Sequence, residues 1–165
     1  MALWFSSVGA EEFADSPQAK KAAGAVVRLD SVGKPIALSG KSPSGDTIDL
    51  ATYRGKVVLI QYWATWSPAK NDMAVLKQLA TKYEKDFTVL GVCLDSNVKD
   101  LNAYLADNPL PWQQIFEEGG PESRPANLLG IITVPTMILV DAQGKTVSRN
   151  IQAADVEAEL KKLIR

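Results

Sequence analysis

The sequence has no histidine in 165 residues. That removes the commonest general base and the commonest metal ligand. It has one cysteine, Cys93, so no disulfide can close within the chain. Cysteine usage therefore says nothing about redox compartment. The formal net charge is only −1, which leaves no electrostatic footprint for nucleic acid or an anionic membrane. No apolar run approaches the roughly 18 residues of a spanning helix. No internal repeat and no low-complexity stretch is present.

What remains is a composition of 46% hydrophobic and 22% charged residues, ordinary for a globular domain. The length suits one domain with a real core and needs no disulfide or metal to hold it. The opening "MALWFSSVGAEE" has an apolar patch before "VGA", but it is short and no basic residue precedes it. It reads as a tail, with a removed export signal as the alternative.

"SPQAKKAAGAVVRLDSVGKP" predicts a helix. Ser16 suits the cap and Pro17 the first turn. Ala22, Val26 and Leu29 recur at helical spacing, and Gly33 and Pro35 stop the helix. "IALSGKSPSGDTIDLATYRGK" predicts a hairpin turning at "SGD". "VVLIQYW" (57–63) and "FTVLGVCLD" (87–95) are nearly unbroken apolar runs, as expected of strands covered on both faces. Between them Met73, Leu76, Leu79, Ala80 and Tyr83 share one helical face. That is a βαβ unit, with parallel strands and a right-handed crossover. Val98, Leu101 and Leu105 predict another helix, and "NPLPWQQIFEEGGPESRP" an irregular connection. "TMILVDAQGKTVSRN" predicts an antiparallel hairpin, and Val156, Leu160, Leu163 and Ile164 a last helix. The fold class is α/β: a mixed central sheet with helices on both faces.

"GKVVLIQYWATWSPAKNDMAVLKQL" resembles the active-site segment of the TlpA-like branch of the thioredoxin superfamily, close to the alkyl hydroperoxide reductase/thiol-specific antioxidant (AhpC/TSA) group. That family reads G-K-V-V-L-x-x-F-W-A-T-W-C-x-x-C. "GIITVPTMILVDAQGKTV" resembles its second signature, in which a cis-proline after a valine faces the cysteines. The resemblance covers residues 34–165 and implies a thioredoxin-like domain there, with residues 1–33 as an N-terminal helical extension. It places Ser67 at the attacking cysteine, Lys70 at the resolving cysteine and Pro135 at the cis-proline. Met73 stands where the family often has a buried glutamate, with Asp72 one position early.

Dithiol exchange needs one thiolate to attack and a second thiol to release the mixed disulfide. Serine and lysine do neither, so that reaction is excluded at 67 and 70. Ser67 reads as a helix cap contributing about 1 kcal/mol, with Pro68 at the first helical position. Ser67 and Lys70 also match the Ser-x-x-Lys spacing of penicillin-binding-type hydrolases, but S-D-N and K-T-G are absent. Cys93 lies late in an apolar strand, where burial makes a thiol inert. The peroxiredoxin pattern P-x-x-x-T-x-x-C is also absent.

The leading expectation is a non-catalytic binding module. Its groove is formed by Trp66, Ser67, Val134 and Pro135, and the resemblance implies that it takes a protein or an extended peptide segment by strand addition beside the proline. No nucleic acid, metal or cofactor is expected. The alternatives are a single-thiol redox or antioxidant protein using Cys93, a Ser67/Lys70 hydrolase, and a purely structural domain. By resemblance, the expected location is extracytoplasmic (periplasmic), as part of a larger membrane-tethered chain.

Overall fold

The computed structural model describes residues 16–67 and 70–164, with Lys70 and Asn71 described by their backbone alone. The expectations for the opening tail, for Pro68 and for the Lys70 side chain lie outside the described residues.

The central sheet has five strands in the order β5-β4-β3-β6-β7. β3 (Val57–Trp63) runs parallel to β4 (Phe87–Cys93), and β4 parallel to β5 (Gln114–Phe116). β6 (Thr136–Val140) pairs antiparallel with β3, and β7 (Thr146–Ser148) antiparallel with β6. β1 (Ser39–Lys41) and β2 (Thr47–Asp49) form a separate antiparallel hairpin turning at Ser44–Gly45. Every residue of β3 is buried, which explains its unbroken apolar run.

Alternation along the strands divides the core in two. Val57, Leu59 and Trp63 of β3, with Phe87, Val89 and Cys93 of β4, face one side. There Leu76 and Leu79 of α2 (Lys70–Lys82), Leu101 of α3 (Val98–Asp107) and Val156 and Leu160 of α5 (Ala153–Leu163) cover them. Val58, Ile60 and Tyr62 face the other side, against Leu38 and Ile48 of the hairpin and Ala126 of α4 (Arg124–Leu128). The apolar faces read from sequence for α2, α3 and α5 are the ones that point inward.

The first helix departs from its pattern. α1 (Pro17–Leu29) starts as expected: Ser16 accepts from the Ala19 N–H at 3.1 Å, and Pro17 is in the first turn. Yet Val26 and Leu29 are 65% and 50% exposed. The buried position is Gly24. A Cβ there would lie 1.9 Å from the Asn127 carbonyl oxygen, and one on Gly130 would lie 2.1 Å from the Ala25 nitrogen. α1 thus meets the α4 segment backbone against backbone. That contact selects glycine and alanine, so apolar periodicity points to the opposite face. The stretch expected to be irregular, residues 108–125, also holds β5 and a 3₁₀ turn at Gly120–Glu122, too short to carry a periodic signal.

Candidate functional site

Parallel β3 and β4 end at the same edge, where Trp63 is opposite Cys93. The chain leaves β3 through Ala64–Ser67, and α2 is described from Lys70. Two bonds shape this loop. The Thr65 N–H donates to Asp95 Oδ1 at 3.0 Å, tying the loop to the end of β4. Ser67 Oγ donates to the Ala64 carbonyl at 2.7 Å, and the Ser67 N–H donates to the same oxygen at 3.0 Å. The described bonds of Ser67 therefore run back along the chain. The residues between Ser67 and α2 lie outside the described residues, as does the helix start that the sequence expected Ser67 to cap. Ser67 is only 7% exposed and has spent its proton on a carbonyl, so it is not poised as a nucleophile.

Trp66 is turned outward and is 67% exposed. It lines a groove of about 250 Å³ with Leu94, Pro121, Ile132, Thr133 and Val134. The Val134–Pro135 peptide bond is cis. Thr136 Oγ1 donates to the Thr133 carbonyl at 2.6 Å and closes the turn that leads into β6. Thr133 and Val134 come just before β6 and take no part in its ladder with β3. The fold thus brings Trp66 and Val134 into one groove. Pro135 follows directly, half-buried, and Ser67 is buried behind Trp66 rather than lining the groove. Ile132, which is 75% exposed, was missed from sequence. Its position beside the cis-proline turn was the available signal.

Cys93 is not part of this groove. It is 1% exposed, in the core layer with Trp63 and Phe116. Burial pushes its thiol from 9.0 up to about 12, and the Asp95 carboxylate beside it disfavours the thiolate further through its charge. Met73 is buried where the resemblance would put a glutamate. Its sulfur accepts from Gln61 Nε2 at 3.6 Å, a weak contact that leaves Gln61 Oε1 with no partner. Gln61, Gly91 and Gln114 are in register across three strands. The Gln114 amide lies over Gly91 and accepts from the Trp63 indole N–H at 2.9 Å. The layer beneath the site is thus uncharged amide and thioether. Asp95 is a buried carboxylate that sequence reasoning missed, because a single acidic residue at a strand end has no pattern. Among the described residues no cluster of three or more histidine, cysteine or acidic residues could hold a metal ion, and no helix is long and apolar enough to cross a membrane.

A five-stranded mixed sheet with a loop-to-helix site after its central strand, facing a cis-proline turn, defines a thioredoxin-like protein. Solved structures agree. The chain is 29% identical to a thiol-disulfide oxidoreductase from Bacteroides fragilis, with a TM-score of 0.70 over 78% of this chain and 97% of that one. The thioredoxin domain of a thiol-disulfide oxidoreductase from Bacteroides vulgatus shows the same fold at 23% identity, with a TM-score of 0.71 over 81% and 98% of the two chains. The AhpC/TSA family model matches residues 32–149, and the chain belongs to that family. Among curated proteins it is 27% identical over 105 residues to thiol-disulfide oxidoreductase ResA of Bacillus thuringiensis, covering 62% of this chain and 59% of that protein.

Proposed function

We propose that this chain is a binding module: a thioredoxin-like groove that takes an extended segment of another protein, without dithiol chemistry. One observation carries the reading. The groove is built, with Trp66 and Ile132 displayed beside Val134 and the cis-proline turn, while the serine at the attacking position is buried and bonded to a carbonyl. An exposed tryptophan beside an apolar groove supplies much contact area at little entropy cost. Thr133 and Val134, outside the β6 ladder, leave backbone for strand addition. The partner is a protein segment rather than nucleic acid or a metal. Family resemblance is the support for placing the module outside the cytoplasm, tethered within a larger chain.

The single-thiol alternative is disfavoured by the burial and raised pKa of Cys93. The hydrolase alternative is disfavoured by the buried Ser67 hydroxyl, already donated to Ala64. The test is selection of binders from a phage-displayed library of random peptides. Selected peptides should carry apolar side chains, and Trp66→Ala should weaken them by about 2 kcal/mol, roughly thirtyfold. Binders that ignore both Trp66→Ala and Val134→Asp would refute the reading.

A further inference from the structure

α1 lies wholly before the segment matched by the family model, which begins at residue 32. It is nevertheless bonded to both walls of the groove. Lys21 Nζ donates to the Ile131 carbonyl at 3.0 Å and also to the Pro121 carbonyl, and it approaches Glu122 at 4.0 Å. Its side chain is only 15% exposed. Pro121 lines one wall of the groove, and Ile132, the residue after Ile131, lines another. One ammonium therefore bridges two loop segments about ten residues apart. One turn on, Gly24 packs against Asn127 and Gly130, and two turns on, Arg28 Nε donates to the Leu129 carbonyl at 2.9 Å. These contacts tie α1 to the 127–131 segment and to the 120–122 turn. Across Ile132, Pro17, Gln18, Ala22 and Ala25 of the same helix line a second concavity of about 410 Å³.

We propose that α1 is a working part of the groove and that Lys21 is its positioning residue: it holds the Pro121 and Ile131 segments at the spacing that Trp66 faces. The ammonium supplies charge-assisted bonds to two carbonyls that α1 would otherwise cover without donors. Its two bonds join the walls through α1, in addition to the chain that runs between them. The proposal rests on reading the groove as the binding site, but its test uses no ligand, so failure of one is separable from failure of the other.

The test is amide hydrogen exchange by NMR on the full chain, comparing the parent with Lys21→Met, Lys21→Arg and Gly24→Ala. The reporters are the amides of Glu122, Ser123, Gly130 and Ile131, hydrogen-bonded at 3.0, 3.0, 3.2 and 2.9 Å. Lys21→Met keeps the apolar stem and removes the donors. It should speed exchange at these four amides by about tenfold or more while β3 and β4 keep their protection. The Trp66 indole resonance should shift as the facing wall moves. Lys21→Arg should restore protection to within about threefold, since a guanidinium reaches two carbonyls as well. Gly24→Ala forces a Cβ onto the Asn127 carbonyl and should loosen the same four amides with Lys21 intact, a second route if Lys21→Met does not fold. Unchanged exchange at the four amides in Lys21→Met or Gly24→Ala would overturn the proposal. So would acceleration spread equally over β3 and β4, which is what a merely structural contact would give.

Discussion

Cys93 should be unreactive at neutral pH and a source of weakness in alkali. Its thiol is pushed from 9.0 to about 12 by burial in the Trp63–Phe116 layer. At pH 7.5 that lowers the thiolate fraction about a thousandfold, before access is considered. At 1% exposure, a reagent must wait for the strand to open. The same shift is a stability statement. A group whose pKa is raised by folding contributes fully below its unfolded value and loses that contribution as pH climbs through its folded value. For Cys93 the window runs from 9.0 to about 12. Between pH 7 and pH 10 the loss is about 1 kcal/mol by linkage. Burial raises the Tyr62 phenol as well, so part of any alkaline loss belongs to it. Urea unfolding of the parent and of Cys93→Ala at both pH values separates the two: the parent should lose about 1 kcal/mol more than the variant. Labelling with a chromogenic disulfide reagent should give one thiol per chain only in denaturant. Prompt stoichiometric labelling of the folded protein, or equal alkaline losses in parent and variant, would refute the reasoning.

Three further outcomes follow from the geometry. Gly91→Ala places a Cβ 2.1–2.5 Å from the Gln114 amide, so it should strip the Trp63 indole of its acceptor and cost about 2–4 kcal/mol in urea unfolding. Tyr62→Phe removes the phenol that donates to the Pro125 carbonyl at 3.0 Å, and thermal unfolding should show a loss of about 1 kcal/mol. Ser67→Ala should cost about 1 kcal/mol through the lost bond to Ala64, with no change in affinity for selected peptides; a large loss of binding would place Ser67 in the groove after all.

The long elements were legible because their burial matches their period. β3 is buried on both faces and reads as a continuous apolar run. The inward faces of α2 and α5 carry leucine and valine at helical spacing. α1 misled because its interface is a glycine and alanine contact, so its branched residues point to solvent. β5, at three residues, is shorter than any usable period. At the site, Trp66 and Val134 were readable from the two motifs that flank the sheet edge. Lys21, Pro121 and Ile132 were not, since only the tertiary fold brings residues about a hundred positions apart to one groove. Nothing local to Ser67 announces that its hydroxyl turns back to the Ala64 carbonyl.

The central claim is that this groove has lost its sulfurs and kept its shape. The direct measurement is reduction of insulin disulfides in the presence of dithiothreitol, comparing the parent with the double variant Ser67→Cys, Lys70→Cys. The parent should not accelerate the reaction. The double variant should do so, since a cysteine at a helix start has a lowered pKa and a partner three residues on falls within the roughly 4.4–6.8 Å Cα separation that a disulfide spans. Its rate should be modest, because Met73 supplies no carboxylate for proton transfer. Acceleration by the parent that disappears in Cys93→Ser, or a folded double variant that cannot close the disulfide under mild oxidation, would contradict the account.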